Sequence, residues 1–238
     1  MQAIEVPTVF LIPNFLPFLH GRFIPEHVAM AWLVLAVVGV LAFLATRRLQ
    51  EVPGPLQNIC ELLVEEFGNL LEQIIGHHGR RYLPLIGAVG LFVLAANLLG
   101  MFPGLKSPTA NLNTNAALAT TVFIFYHAVG IREQGFGSYA KHFAGPVWWL
   151  APLMVPIELI GHLARPVSLS IRLFGNIFGH ETIVGVLLFA FGWVAVPLMY
   201  FLFLPPLGLF VAFVQTLVFV MLSTIYIAGA TEGAHAEH

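Results

Sequence analysis

Between residues 158 and 181 an otherwise apolar stretch carries Glu158, His162, Arg165, Ser168, Arg172, Asn176, His180 and Glu181. Carboxylates and imidazoles take up and release protons, amides and hydroxyls orient water, and a guanidinium holds an anion. On a helix turning about 100° per residue from Glu158, His162 falls near about 40°, Arg165 near about −20°, Arg172 near about −40°, Asn176 near about 0° and His180 near about 40°. Ionised groups cost about 2.5–3.5 kcal/mol each at the centre of a membrane helix, so this arc should face a partner or a wet cavity. Glu181 lies off the arc at about 140° and should point toward another helix or a second compartment. Arg172 sits in Ser168-Leu169-Ser170-Ile171-Arg172-Leu173-Phe174-Gly175, with no carboxylate three or four residues away. Its counter-ion must come from a different helix or chain.

Simpler roles compete for some of these residues. Arg165, just before Pro166, also reads as a snorkelling helix terminus, and Glu158 could pair with it two turns away. His162 reads as a hydrogen-bonded packing residue. A metal site is a competitor, but His180-Glu181 is followed by Thr182-Ile183-Val184, so the HExxH helix fails at its second histidine. Neither a GxSxG elbow nor a phosphate loop ending in GK[ST] occurs, so no hydrolytic chemistry is legible. No cofactor is expected, and the single Cys60 excludes a cysteine metal cluster.

The elements that must position these groups follow from composition. The 238 residues are 58% hydrophobic and 9% charged, with a mean hydropathy of +0.88, whereas soluble domains average about 25% charged residues. The chain belongs in a bilayer, and its net charge of −2 gives no footprint for nucleic acid. Uncharged runs long enough to cross as helices place spans at about 28–46, 82–102, 114–131, 147–190 and 198–230, with a break near Pro197 or Pro205-Pro206. The runs are continuous, not alternating, which argues against a barrel. Residues 1–27 are expected outside as a separate segment, and 28–238 as one membrane domain without a removed leader.

Within about 55–76, Leu56, Ile59, Leu63, Phe67, Leu70 and Ile74 recur every three or four residues, opposite Asn58, Glu61, Glu65, Asn69 and Glu72. That spacing predicts an amphipathic helix on the membrane surface or packed on protein. Arg47, Arg48, Arg80, Arg81, Arg132 and Lys141 fall on one side of the five spans, and Arg22 and Lys106 on the other. The N-terminus is therefore expected outside and the C-terminus in the cytoplasm.

The run Pro166-Val167-Ser168-Leu169-Ser170-Ile171-Arg172-Leu173-Phe174-Gly175-Asn176 resembles the signature of subunit a of F-type ATP synthases. Phe213-Val214-Gln215-Thr216 and Ser223-Thr224-Ile225-Tyr226 resemble that family's last helix, and Asn97-Leu98-Leu99-Gly100 and the stretch from Asn111 to Asn115 extend the similarity. The resemblance implies an all-α membrane protein of about five transmembrane helices plus the surface helix, the last two long and tilted. It implies a non-catalytic proton-conducting stator beside a ring of c subunits, with a b-subunit peripheral stalk and the remainder of the synthase as further partners, in the bacterial inner membrane. It also implies that Arg172 is the essential arginine between two half-channels: Asn176, Glu181 and Gln215 with His180 in the outer one, Glu158 and Ser168 in the cytoplasmic one. Some members carry a histidine on the last helix and a glycine before the glutamate; here these positions are Gly208 and His180. The competing reading from residues alone is an autonomous transporter or channel that binds an anion at Arg172.

Overall fold

The computed structural model describes residues 26–47, 49–102, 105–139, 148–202 and 204–235. The N-terminal segment, Arg22, Arg48, Lys141 and the side chain of Glu181 lie outside the described residues. Six long helices follow in order: α1 (Glu26–Thr46), α2 (Pro55–Ile75), α3 (Leu83–Leu99), α4 (Leu112–Gln134), α5 (Ala151–Leu202) and α6 (Leu204–His235), and no strand occurs among the described residues. The protein is an all-α membrane protein. Among the described residues, four stretches are long and apolar enough to cross a bilayer: His27–Thr46, Gly79–Leu99, Leu112–Gln134 and Pro205–Thr231. The fourth run of the sequence becomes α5, which continues through Pro197 to Leu202, and α6 starts at Leu204, ahead of Pro205-Pro206. At about 1.5 Å per residue the 52 residues of α5 have a contour of about 78 Å, more than twice the roughly 30 Å of a hydrocarbon core.

Apolar positions every three or four residues, with acidic ones on the opposite side, make α2 a helix, Pro55 opens it, and Gly76, at φ 92°, ends it in a conformation that only glycine adopts readily. Its C-terminal half packs on the bundle through Phe67, Leu70 and Leu71, while Leu56 and Ile59 of its first turns stay exposed. α3, α4, α5 and α6 form the body, and α1 lies on α3 with Val34 against Phe92 and Ala96. In lipid, helices associate through close packing and not through the hydrophobic effect, so small residues matter at the contacts. Gly90 shows it: a Cβ there would lie 2.7 Å from Val220 of α6. At the basic end, Arg81 pairs with Glu133 at 3.2 Å and Gln134 donates to the Ala230 carbonyl at 2.8 Å, tying α3, α4 and α6 together.

Candidate functional site

The polar residues of α5 divide into two groups that face different neighbours. At the far end, Asn176 donates its side-chain N–H to the Gln215 carbonyl of α6, and Gln215 is buried. They line a pocket of about 40 Å³ for water-sized molecules with Asn97, Met101, Ser107, His180 and Gly208, room for a few waters. Asn97 and Ser107 escaped the sequence reading as members of this site. They belong to a buried network closing the α3–α4 connection: Ser107 donates to the Ala96 carbonyl (2.8 Å), Thr109 to Asn97 Oδ1 (3.0 Å), and Asn115 to the Thr109 carbonyl (2.8 Å). An isolated asparagine inside the apolar run at Asn97 was the available signal. Asn111 caps α4 by accepting from the Asn113 N–H at 2.8 Å, and its amide meets His27 Nδ1 at 3.3 Å.

His180 stands against Gly208. A Cβ at Gly208 would lie 3.4 Å from His180 Nε2, so the imidazole on α5 occupies space next to the glycine of α6.

At the near end, Glu158 does not pair with Arg165. Its Oε1 lies 3.3 Å from His162 Nε2, and His162 Nδ1 lies 2.9 Å from the Tyr126 hydroxyl of α4. Arg165 instead stacks on aromatic rings, its Cζ 5.7 Å from the centre of Tyr126 and 5.1 Å from that of Tyr226, where the ring quadrupole attracts it. His127 and Tyr139 complete the cluster, His127 with ring centroids 5.1 Å from His162 and 5.9 Å from Tyr139. Burial raises the Tyr139 hydroxyl above the ordinary tyrosine range, so it stays neutral. Tyr126, His127 and Tyr226 were not singled out from sequence, although histidine beside tyrosine within an apolar span marks the place.

Arg172 joins neither group. It is exposed, as is Ser168 one turn before it. Among the described residues it makes no ion pair and no hydrogen bond. The buried serine is Ser170, whose hydroxyl is held by the carbonyls of Pro166 (2.7 Å) and Asn115 (3.4 Å).

The chain is similar to known proteins over most of its length. A profile of the ATP synthase A chain family matches residues 28–228. ATP synthase subunit a 1 of Syntrophotalea carbinolica is 54% identical over 209 residues, covering 88% of this chain and 87% of the relative. ATP synthase subunit a 3 of Pelobacter propionicus is 47% identical over 229 residues, covering 93% and 97%. ATP synthase subunit a of Geobacter sulfurreducens is 46% identical over 210 residues, covering 88% and 89%. With a profile match spanning most of its length and relatives this similar, the chain belongs to the ATP synthase A chain family.

Proposed function

We propose that this chain is the proton-translocating stator subunit of a rotary F-type ATP synthase, working beside a c-subunit ring and held by a b-subunit peripheral stalk in a bacterial plasma membrane. The observation that carries it is Arg172: an exposed permanent cation in a long membrane helix, with no counter-ion among the described residues of its own chain. A carboxylate carried through lipid on the ring stays protonated, because desolvation disfavours its charged form. Beside a guanidinium the ionised form is favoured. At about 4 Å and an effective dielectric near 20 the attraction is about 4 kcal/mol, roughly three pH units of proton affinity. The carboxylate must therefore discharge its proton before it passes Arg172 and reload afterwards.

On this reading Asn176, Gln215, His180 and Glu181 serve the outer half-channel, and Glu158 and Ser168 the cytoplasmic one, with the N-terminus outside. The pocket shared by Asn176, His180 and Gln215 and the half-exposed carboxylate of Glu158 support the assignment. The membrane potential supplies about 2.3 kcal/mol per charge per 100 mV. The chain contributes the path and no ATP chemistry.

Arg172→Ala in the assembled complex tests this. ATP-driven proton pumping into inverted vesicles is expected to vanish and a passive leak to appear; retained coupled pumping overturns the role. Purification in detergent with mass spectrometry is expected to recover a small two-helix proteolipid in many copies, whereas ion flux through the chain reconstituted alone favours an autonomous transporter.

A further inference from the structure

His162 bridges two groups that the half-channel reading leaves unconnected. It is 6% exposed and Tyr126 1%, while the Glu158 side chain is 40% exposed. A carboxylate only accepts hydrogen bonds, and a neutral imidazole has one donor and one acceptor nitrogen. One arrangement satisfies all three: His162 Nε2–H donates to Glu158, and the Tyr126 O–H donates to His162 Nδ1. The groups facing this histidine are Glu158 and Arg165 on α5, Tyr126 and His127 on α4, Tyr226 on α6 and Tyr139 after α4. His127 donates its Nδ1–H to the Phe123 carbonyl at 2.9 Å, and the Arg165 cation stacks on Tyr126. In this arrangement the imidazole is neutral and holds a single tautomer.

We propose that His162, fixed in that tautomer by Tyr126, is a positioning residue for proton exchange at Glu158. The proposal rests on the half-channel reading of Glu158. The N–H donated by His162 is a charge-assisted hydrogen bond to the ionised carboxylate, so removing it weakens that form. In each exchange an arriving proton bonds to a carboxylate oxygen and leaves from it to water. The Nε2–H bond of His162 stays intact throughout, so the histidine aims and tunes the group without carrying the proton.

The test is the pH profile of ATP-driven pumping by the assembled complex in inverted vesicles. His162→Phe keeps a ring but removes both hydrogen bonds. The acid limb of the profile is expected to move up by about one pH unit, a tenfold change in proton affinity. His162→Gln offers an amide N–H to Glu158 and a carbonyl to Tyr126, and is expected to restore the profile. Tyr126→Phe releases the tautomer and is expected to shift the limb part of the way. An unshifted profile in His162→Phe, or failure of His162→Gln to rescue it, overturns the proposal. Should His162→Phe not assemble, an unshifted Tyr126→Phe overturns it equally. If Arg172→Ala abolishes coupled pumping while His162→Phe leaves the profile in place, only the positioning role falls. If Arg172→Ala still pumps, the half-channel reading falls first.

Discussion

Val93 of α3, Ala119 and Val122 of α4, Leu169 and Leu173 of α5 and Phe219 of α6 meet in one apolar layer in which none is more than 2% exposed. The layer lies between the Asn176–Gln215 pair and the Glu158–His162–Tyr126 cluster. Along α5, Arg165 to Asn176 spans about 16 Å. Ser170 is buried beside it, with its hydroxyl engaged by backbone carbonyls. A water at this depth needs two to four polar partners, which the six apolar side chains do not offer. Leu173→Asn places an amide one turn from Asn176. One added hydrogen bond contributes about 1.5 kcal/mol, so the passive proton leak is expected to rise about tenfold with Arg172 untouched. Leu173→Met keeps the volume and the apolar character and should leave the leak unchanged. The assay is the decay of an imposed pH gradient, followed with a fluorescent dye in vesicles carrying the complex. Assembly is checked first by co-purification of the ring, because truncating a buried leucine costs about 2–5 kcal/mol. A Leu173→Asn complex that assembles fully and leaks no faster than Leu173→Met refutes the idea that this layer insulates.

Three further predictions concern the Asn176 end. Glu181→Gln is expected to slow ATP-driven pumping while ring co-purification stays normal; an unchanged rate removes Glu181 from the path. Gln215→Leu is expected to slow pumping less than Glu181→Gln, since an amide orients water without titrating. Because Asn176 and Gln215 bond to each other, Asn176→Leu with Gln215→Leu should cost less thermal stability than the two single changes added together, each single change leaving a buried amide unpaired. Additive losses in the melting of the purified complex count against that pairing.

Helix identity was legible because its causes are local. The three-to-four spacing of Leu56, Ile59, Leu63 and Phe67 and the Pro55 and Gly76 boundaries appear as α2, and long uncharged runs appear as α1, α3, α4 and α6. Register between helices was not legible. Nothing local to α5 reveals that His162 meets Tyr126 or that Arg165 lies on Tyr226, because those contacts depend on how far α4 and α6 slide along it. For the same reason Glu158 and Arg165, which share a face on the wheel, take separate partners: an aromatic surface offered by two other helices outcompetes a carboxylate two turns away.

The wheel itself explains why Arg172 stands apart. On the scale that sets Glu158 at zero, the buried residues of α5 fall between about 20° and about 120°, with Leu169 near about 20°, His162 near about 40°, Leu173 near about 60° and Ser170 near about 120°. Arg172, near about −40°, and Ser168, near about −80°, lie on the shoulder that leaves the bundle, whereas Asn176 near about 0° still reaches Gln215. Two leucines therefore occupy the inward direction at the depth of the arginine, and the serine that shares this depth, Ser170, has its hydroxyl engaged by the carbonyls of Pro166 and Asn115. On the proposed function, protons that enter at one end and leave at the other meet Leu169 and Leu173 in the interior among the described residues, which favours transfer on the outer shoulder. A carboxylate visiting Arg172 from another chain is then the carrier the proposal requires, and the coupling of proton flow to its movement would rest on where the leucines sit as much as on the guanidinium.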